Sequence, residues 1–478
     1  METETATAEG GPSQQVPVLH SRPFMPLAYP CLQRKKRVLN DNVHGHFTLS
    51  DCCFGFIDTE AFQRLRRLHQ LGKANVVYPT ATHSRAEHSF GVALLGRKFS
   101  KKLLKLEGEE DVPRLSKIVE LGGLLHDVGH GPFSHVFENM VLPKLNLDFD
   151  WTHEDMSLKI IDWMVDTYNI DLTNYGLKAS DLGLIKSLIA GTKPSPEMTS
   201  EPSYLWDLVA NHRDSLDVDK FDYLQRDSKQ CHVNLTADFG RLPYFMKVFD
   251  NKVCYDLKEE KQVFNVFQDR ARMHSTVYQH RRVKAAELMV SDALAAVSPE
   301  LDLLERIQNP FDYITLDDGI ERECFKMDPA KPNVLRAQKI MRDLEARKLY
   351  KLAKEVVVPI DVTKMPSWKG PTAEDITPYQ STDGLVNLVP NDIRVAITHI
   401  HYGQGGDNPM RHVCFYGSEN DIESYSYTRS AREQEMYTLP YGELRVGVYA
   451  ADPSPSHQRA ASDAFQGWLT ENSPPRIE

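Results

Sequence analysis

The sequence predicts a mainly α protein, a large helical core followed by a smaller mixed α+β lobe at the C-terminal end. Three observations support this. From residue 37 to about residue 300 most segments repeat apolar residues at helical spacing. Beyond residue 350 short strand-like runs appear instead, at 356–362 and 393–401. With 478 residues, 41% hydrophobic and 26% charged, the chain has the profile of a globular protein able to bury a large core.

Taken in order, residues 1–33 are low in hydrophobicity, hold several prolines and show no period, so they are expected to be disordered. The core is expected over 34–350 and the lobe over 351–478. Ser84 and Glu87 have capping-box spacing, which starts a helix there and places His88 in its first turn. Ile118, Leu121 and Leu125 share a helical face. So do Met156, Ile160, Trp163 and Val165, with Thr152 as N-cap. AELMVSDALAAV is a further helix, and KVCYDL (252–257) a strand. The stretch 363–390 carries Pro, Gly, Ser and Thr and reads as loop. No internal repeat is present.

Net charge is −11, which argues against nucleic-acid binding over the whole surface but not against a small polyanionic substrate. Basic clusters stand at Arg34-Lys35-Lys36-Arg37, Arg64/Arg66/Arg67, Arg270/Arg272 and Arg281-Arg282. The plain reading of each is a solvated face, and the first also matches a nuclear import signal. Seven cysteines without a CxxC indicate neither a disulfide framework nor a zinc ribbon. No apolar run approaches the ~18 residues of a membrane span, and METETATAEGG lacks a signal peptide's basic and apolar regions. An intracellular protein, nuclear or cytoplasmic, is expected.

The most informative segment is LGGLLHDVGHGPFSH at 121–135. His126 and Asp127 stand side by side after an apolar run and can grip one metal ion together. Gly129 and Gly131 are expected to let the backbone turn sharply and to bring His130 and His135 close. Upstream His88 and downstream Asp219 complete a set of two nitrogens and two oxygens. That set suits a borderline or hard divalent ion such as Fe, Mn, Zn, Ni or Mg. Two carboxylates offset the charge and leave positions for water and a substrate oxygen.

A histidine, a His-Asp pair and a distant aspartate, in that order, resemble the HD-domain phosphohydrolases. IDTEAFQRLRRLHQLG, YPTATHSRAEHSFGV, HDVGHGPFSH, WTHE, DVDKFDYLQRD and YQH narrow the resemblance to the branch of SAM- and HD-domain-containing dNTP triphosphohydrolases. It runs from about residue 37 to about residue 417. About 36 residues precede it, too few for the SAM domain.

The resemblance implies a helical HD-domain core that cleaves dNTPs to deoxynucleoside and inorganic triphosphate. It implies a divalent transition metal (Fe, Zn or Mn) on His88, His126, Asp127 and Asp219, and Mg2+ with the nucleotide phosphates. His130 takes the catalytic role, helped by His153, Glu154 and Glu138, the last standing where the family has an aspartate. One extra methylene shifts that carboxylate by about 1.5 Å. The implied triphosphate contacts are Arg85, His135, Lys220, Tyr223 and Arg270; for Arg85 or Arg270 alone the plain alternative is a surface salt bridge worth ~0–1 kcal/mol. Gln70 and Asp227 match the partners of the 3′-hydroxyl, and Leu71 and Tyr278 the residues that crowd the 2′ carbon. An unpaired buried 2′-hydroxyl costs ~1–3 kcal/mol, so deoxy substrates are favoured. His274 and Gln279 complete the implied substrate set.

A second nucleotide site, for GTP or dGTP, matches Asp58, Gln63 and Arg66 on one helix with Arg37 and Val38. Contacts to a dNTP activator match Asn40, Arg241, Lys258, His280 and Arg281. Asp256, Gln262 and Ala450 depart from the family's arginine, asparagine and lysine, and Arg429 is a candidate C-terminal partner of the guanine pocket. The resemblance further implies a homo-oligomer, dimer to tetramer, with a regulatory and oligomerising C-terminal lobe. It also implies weak single-stranded nucleic-acid binding, dNTP-pool regulation and antiviral defence. The alternatives are another HD-domain phosphodiesterase or nucleotidase, which would share the metal residues but lack Gln70-Leu71 and the Asp58/Gln63/Arg66 set, and a non-catalytic nucleic-acid-binding or scaffold relative, which would be expected to have lost a ligand or His130. Taken singly, His44, His46, His69 and His83 read as packing or surface histidines.

Overall fold

A computed structural model describes residues 37–472, except 146, 148–149, 196–199, 359–369, 382–383, 385 and 418–440. The N-terminal segment, most of the Arg34–Arg37 cluster and Arg429 lie outside the described residues. The mainly α expectation holds. A short hairpin of β1 (Leu39–Asp41) and β2 (Gly45–Phe47) leads into α1 (Asp51–Ile57) and α2 (Glu60–Arg64). Then come α3 (Arg85–Leu106), α4 (Val112–Leu125), α5 (His153–Tyr168), α6 (Asp181–Ile189), α7 (Trp206–Val209) and α8 (Val218–Cys231). After β3 (Met246–Phe249) and β4 (Lys252–Asp256) follow α9 (Glu260–Met273) and α10 (Arg281–Ala296). The core closes with α11 (Leu303–Arg306), α12 (Pro310–Tyr313), α13 (Ile320–Lys326) and α14 (Pro332–Glu345).

The long helices start where the sequence says they should. Glu87 accepts from the Ser84 backbone N–H at 3.1 Å, which closes the capping box of α3. The Thr152 hydroxyl accepts from the Asp155 N–H at 3.1 Å and caps α5. Asp217 accepts from the Lys220 N–H at 2.9 Å and caps α8. Helices α3 and α4 pack along their lengths, with Val92, Leu103, Leu121 and Leu125 in one continuous apolar cluster, and α8 lies against α3. Met156, Ile160 and Met164 carry the buried face of α5, while Trp163 and Val165 are only half-buried.

A second apolar cluster belongs to the C-terminal part. Strands β5 (Lys351–Val358), β6 (Ile393–His401) and β8 (Gly442–Ala450) form an antiparallel sheet in the order β5-β8-β6. After α15 (Ala373–Ile376), the last helix α16 (Pro455–Asn472) sets Ala461, Ala464 and Phe465 against Leu444, Val446 and Val448. Strand β7 (Cys414–Tyr416) instead runs parallel to β4 and so joins the C-terminal part to the helical core.

Three sequence expectations shift. The strand expected at 356–362 begins earlier, at Lys351, and its expected end lies outside the described residues. The loop at 363–390 contains the one-turn helix α15, capped by Thr372. Strand β8, whose Leu444, Val446 and Val448 alternate inward, was not expected. No described helix is long and apolar enough to cross a membrane.

Candidate metal and nucleotide site

Three helix ends meet at the site. His88 lies in the first turn of α3, His126 is the C-cap of α4 with Asp127 following it, and Asp219 lies in the first turn of α8. His88 Nε2 is 2.9 Å from Asp219 Oδ1 and 3.6 Å from Asp127 Oδ2. His126 Nε2 is 3.3 Å from Asp127 Oδ1 and 3.6 Å from Asp219 Oδ1. The four side chains expected from sequence therefore converge, although the first and last lie 131 positions apart in the chain.

Each imidazole is turned with its lone pair inward. His126 Nδ1 is 2.8 Å from the Gly123 carbonyl and His88 Nδ1 is 2.8 Å from Asp222 Oδ2. Both Nδ1 atoms must then donate, and each neutral ring presents Nε2 as a bare acceptor to two carboxylates. His126 Nε2 is buried and has no hydrogen-bond partner among the described residues. Lone pairs facing carboxylate oxygens repel unless a cation stands between them. Burial pulls the His88 imidazole down, but hydrogen bonds to Asp219 and Asp222 outweigh it and raise it to about 10. His126 is also raised, by the Asp127 charge against burial. A site this hungry for positive charge, with two nitrogen and two oxygen donors, fits a divalent metal.

The HDVGHG segment wraps away from this point differently from the sequence expectation. Gly129 and Gly131 are not in the left-handed region; Phe133 and Ser134 are, at φ 59° and 60°. Gly129 is needed for close approach instead, because a Cβ there would lie 2.1 Å from the His153 carbonyl and 2.3 Å from the Ser157 nitrogen. That approach brings α5 over the segment. His153 stacks on His130 with ring centroids 3.8 Å apart, and His130 Nε2 is 3.3 Å from Asp127 Oδ1. Glu138 reaches His153 Nδ1 at 2.7 Å, so the longer side chain makes the contact; Glu154 is 3.2 Å from the same atom. Burial and the neighbouring Arg85 hold His130 well below the ordinary histidine value.

A cavity of about 830 Å³ opens over these groups. Gln70, Leu71, Arg85, His135, Tyr223, Asp227, Arg270, His274, Tyr278 and Gln279 all line it, beside the four metal-site residues and His130, His153 and Glu154; Glu138 does not. Lys220 does not; its ammonium is buried 3.7 Å from Asp217 Oδ1. Arg85 is no surface salt bridge. It is buried, bonded to Asp127, and donates to Ser134 Oγ at 2.7 Å. Asp227 is held on both oxygens, by His83 Nε2 at 2.7 Å and by the Tyr278 hydroxyl at 2.7 Å. Arg270 donates to the His401 carbonyl of β6.

The second group of expected residues lies apart. Arg37 forms two bonds to Asp58, at 2.7 and 2.8 Å. Arg66 Nε donates to Gln63 Oε1 at 2.9 Å. They do not share one helix: Asp58 caps α1, Gln63 lies in α2, and Arg66 lies in the 3₁₀ turn after it. Val38 is exposed beside them, and Asn40 pairs with His46 across the hairpin. Arg241 and Lys258 stack on Phe245 and are taken by Glu259 and Asp256. His280 caps α10, where Arg281 begins. Gln262 accepts from the Asp238 N–H at 2.9 Å, and Ala450 is fully buried in β8, where a lysine would not fit without rearrangement.

Several contributors escaped the sequence reading. Arg64, expected to be solvated, is fully buried and donates to the carbonyls of Leu316, Val128 and His130, while the Tyr313 hydroxyl donates to the Gly129 carbonyl at 2.8 Å. Asp318 accepts from the Phe133 N–H at 2.7 Å and the His69 N–H at 2.9 Å. Asp222, Arg226 and His44 stand behind His88. The one available signal was the spacing Asp219, Asp222, Arg226 on a single face of α8.

The HD domain family matches residues 85–163. The chain is 34% identical over 422 residues to the deoxynucleoside triphosphate triphosphohydrolase SAMHD1 homolog of Dictyostelium discoideum, covering 87% of this chain and 78% of that protein. It is 29% identical over 469 residues to SAMHD1 of Danio rerio, covering 91% and 74%. To SAMHD1 of Homo sapiens it is 28% identical over 465 residues, covering 91% and 74%. The converging His, His-Asp and Asp side chains and a likeness that spans most of the chain lead to one conclusion: the protein belongs to the SAMHD1 family of deoxynucleoside triphosphate triphosphohydrolases.

Proposed function

We propose that the cavity hydrolyses dNTPs to deoxynucleoside and inorganic triphosphate. The observation that carries this is the orphaned His126 Nε2, grouped closely enough with His88 and Asp219 to hold a metal ion, with Asp127 at 3.3 Å, at the floor of a nucleotide-sized cavity. His88, His126, Asp127 and Asp219 would hold the divalent ion (Fe, Zn or Mn), which would supply Lewis-acid activation of the phosphate. Arg85, Arg270, Tyr223 and His135, which line the cavity, bind the triphosphate, accompanied by Mg2+, and Lys220 joins them only when its ammonium leaves Asp217. Arg forks suit paired phosphate oxygens. Gln70 and Asp227 take the 3′-hydroxyl, while Leu71 and Tyr278 exclude a 2′-hydroxyl. Water adds to the α-phosphorus as its bond to the 5′-oxygen breaks; His130 gives that oxygen a proton, and the proton the water sheds restores it. The arriving polyanion opposes the burial and the Arg85 charge that keep His130 neutral in the free protein. His153, braced by Glu138 and Glu154, orients His130 and the attacking water.

Arg37, Val38, Asp58, Gln63 and Arg66 are proposed to take GTP or dGTP, and Asn40, Arg241, Lys258, His280 and Arg281 a dNTP activator shared between copies of a homo-oligomer. The bidentate Arg37–Asp58 contact supports the first, since a guanine edge can replace the guanidinium on that carboxylate. Residues 351–478 are proposed as the regulatory lobe. Incubation with each dNTP, with and without GTP, tests the reading. Inorganic triphosphate is expected; pyrophosphate or monophosphate release would show a different HD-domain reaction.

A further inference from the structure

We infer that His44, in the turn of the β1–β2 hairpin, is a positioning residue for His88, so that the hairpin is a structural part of the metal site. The inference rests on the metal reading above. His44 Nε2 is 2.6 Å from Asp222 Oδ1, and His88 Nδ1 is 2.8 Å from Asp222 Oδ2. The Asp222 side chain is fully buried, and Arg226 adds bonds of 2.9 and 3.0 Å to its two oxygens. An ionised carboxylate only accepts, so both imidazoles donate to it. His88 thereby keeps its proton on Nδ1 and its lone pair on Nε2. A histidine ligand oriented by a carboxylate in this way owes part of its metal affinity to that carboxylate.

The hairpin reaches Asp222 by a second route. Arg226 continues to Asp41 Oδ2 at 2.7 Å, and Asp41 Oδ1 accepts from the backbone N–H groups of Val43 and His44, both at 2.8 Å. The turn residues, Asp41, Arg226, His44 and Asp222 therefore form a closed ring of charge-assisted bonds, with His88 on its inner side. Helix α3 tolerates this ring only because residue 91 is glycine: a Cβ there would lie 1.8 Å from Asp222 Oδ1. If the hairpin moves, Asp222 Oδ1 loses His44 and keeps Arg226 alone, so the carboxylate that orients His88 is held less firmly. The same hairpin carries Asn40 and follows directly on Arg37 and Val38. Occupancy of the metal and the order of the hairpin are thus coupled, and by linkage each favours the other.

The test uses the full chain and Mn2+ as the probe, with affinity read by competition against a fluorescent chelator. His44→Leu is expected to weaken Mn2+ binding about 10–100-fold, and His44→Gln, whose amide can still donate to Asp222, to recover most of it. In the parent chain, hydrogen exchange at the Val43 and His44 amides is expected to slow when Mn2+ is added; this readout decides the matter if His44→Leu does not fold. Equal affinities for the parent and His44→Leu, or unchanged exchange at Val43 and His44, would overturn the inference alone. A parent chain that binds no Mn2+ would overturn the metal reading, and this inference with it.

Discussion

At His88 a proton and a metal ion compete for one lone pair. The carboxylates of Asp219 and Asp222 raise its affinity for the proton to about 10, from 6.5 in the unfolded chain. A raised histidine stabilises the metal-free fold fully below pH 6.5, and that contribution is lost as pH rises toward 10. The metal must displace that proton. Mn2+ affinity is therefore expected to rise with pH between 7 and 9, up to about tenfold per unit, measured by chelator competition; a flat profile would contradict the assignment of His88. His130 is shifted the other way. His130→Ala is expected to lower triphosphate release about 10²–10⁴-fold while the metal content stays at the parental level, since the His130 ring is not one of the four donors. At this scale the donors were legible because adjacent His and Asp before a glycine-rich break have few structural uses. His44 and Arg64 were not, because their partners lie 178 and 64 or more residues away and no local pattern announces them.

Among the elements, helix starts were the most readable features. Capping side chains act within three residues, and Ser84, Thr152 and their N3 partners all sit in one window of sequence. Strand β8 was missed although Glu443 and Arg445 alternate with Leu444 and Val446, because glycines at 442 and 447 interrupt the run. The sharp turn after His126 was placed on the glycines, whereas tertiary bonds from Asp318 and Ser134 force Phe133 and Ser134 into the left-handed region. Gly91 and Gly129 serve the approach of elements. Gly91→Ala would press α3 onto Asp222 and Arg226, and is expected to cost about 1–3 kcal/mol of stability and to release the metal, read by thermal unfolding and metal analysis of the same sample. The turn between α1 and α2 carries a separate expectation. Asp58→Ala removes the carboxylate that holds Arg37 and is expected to abolish stimulation by GTP or dGTP with the bound metal unchanged; stimulation at the parental level would place the activator elsewhere.

Over the whole molecule, the division into a helical core and a smaller mixed lobe was visible in the change of period near residue 350. Their interlocking was not. β7 pairs with β4, β6 forms a wall of the cavity, and Arg270 of the core is held by a carbonyl of the lobe. These are contacts over more than a hundred residues, set by packing rather than by pattern. They give the C-terminal lobe a direct grip on the nucleotide cavity in addition to any regulatory role. Everything else in the account depends on the floor of that cavity holding a cation. The most direct measurement is the metal content of the purified full chain and of His126→Ala, by elemental mass spectrometry alongside circular dichroism. One equivalent of divalent transition metal in the parent chain, and a folded variant without it, is the expected result. A metal-free parent after reconstitution, or a folded His126→Ala chain that keeps its full equivalent, would contradict it.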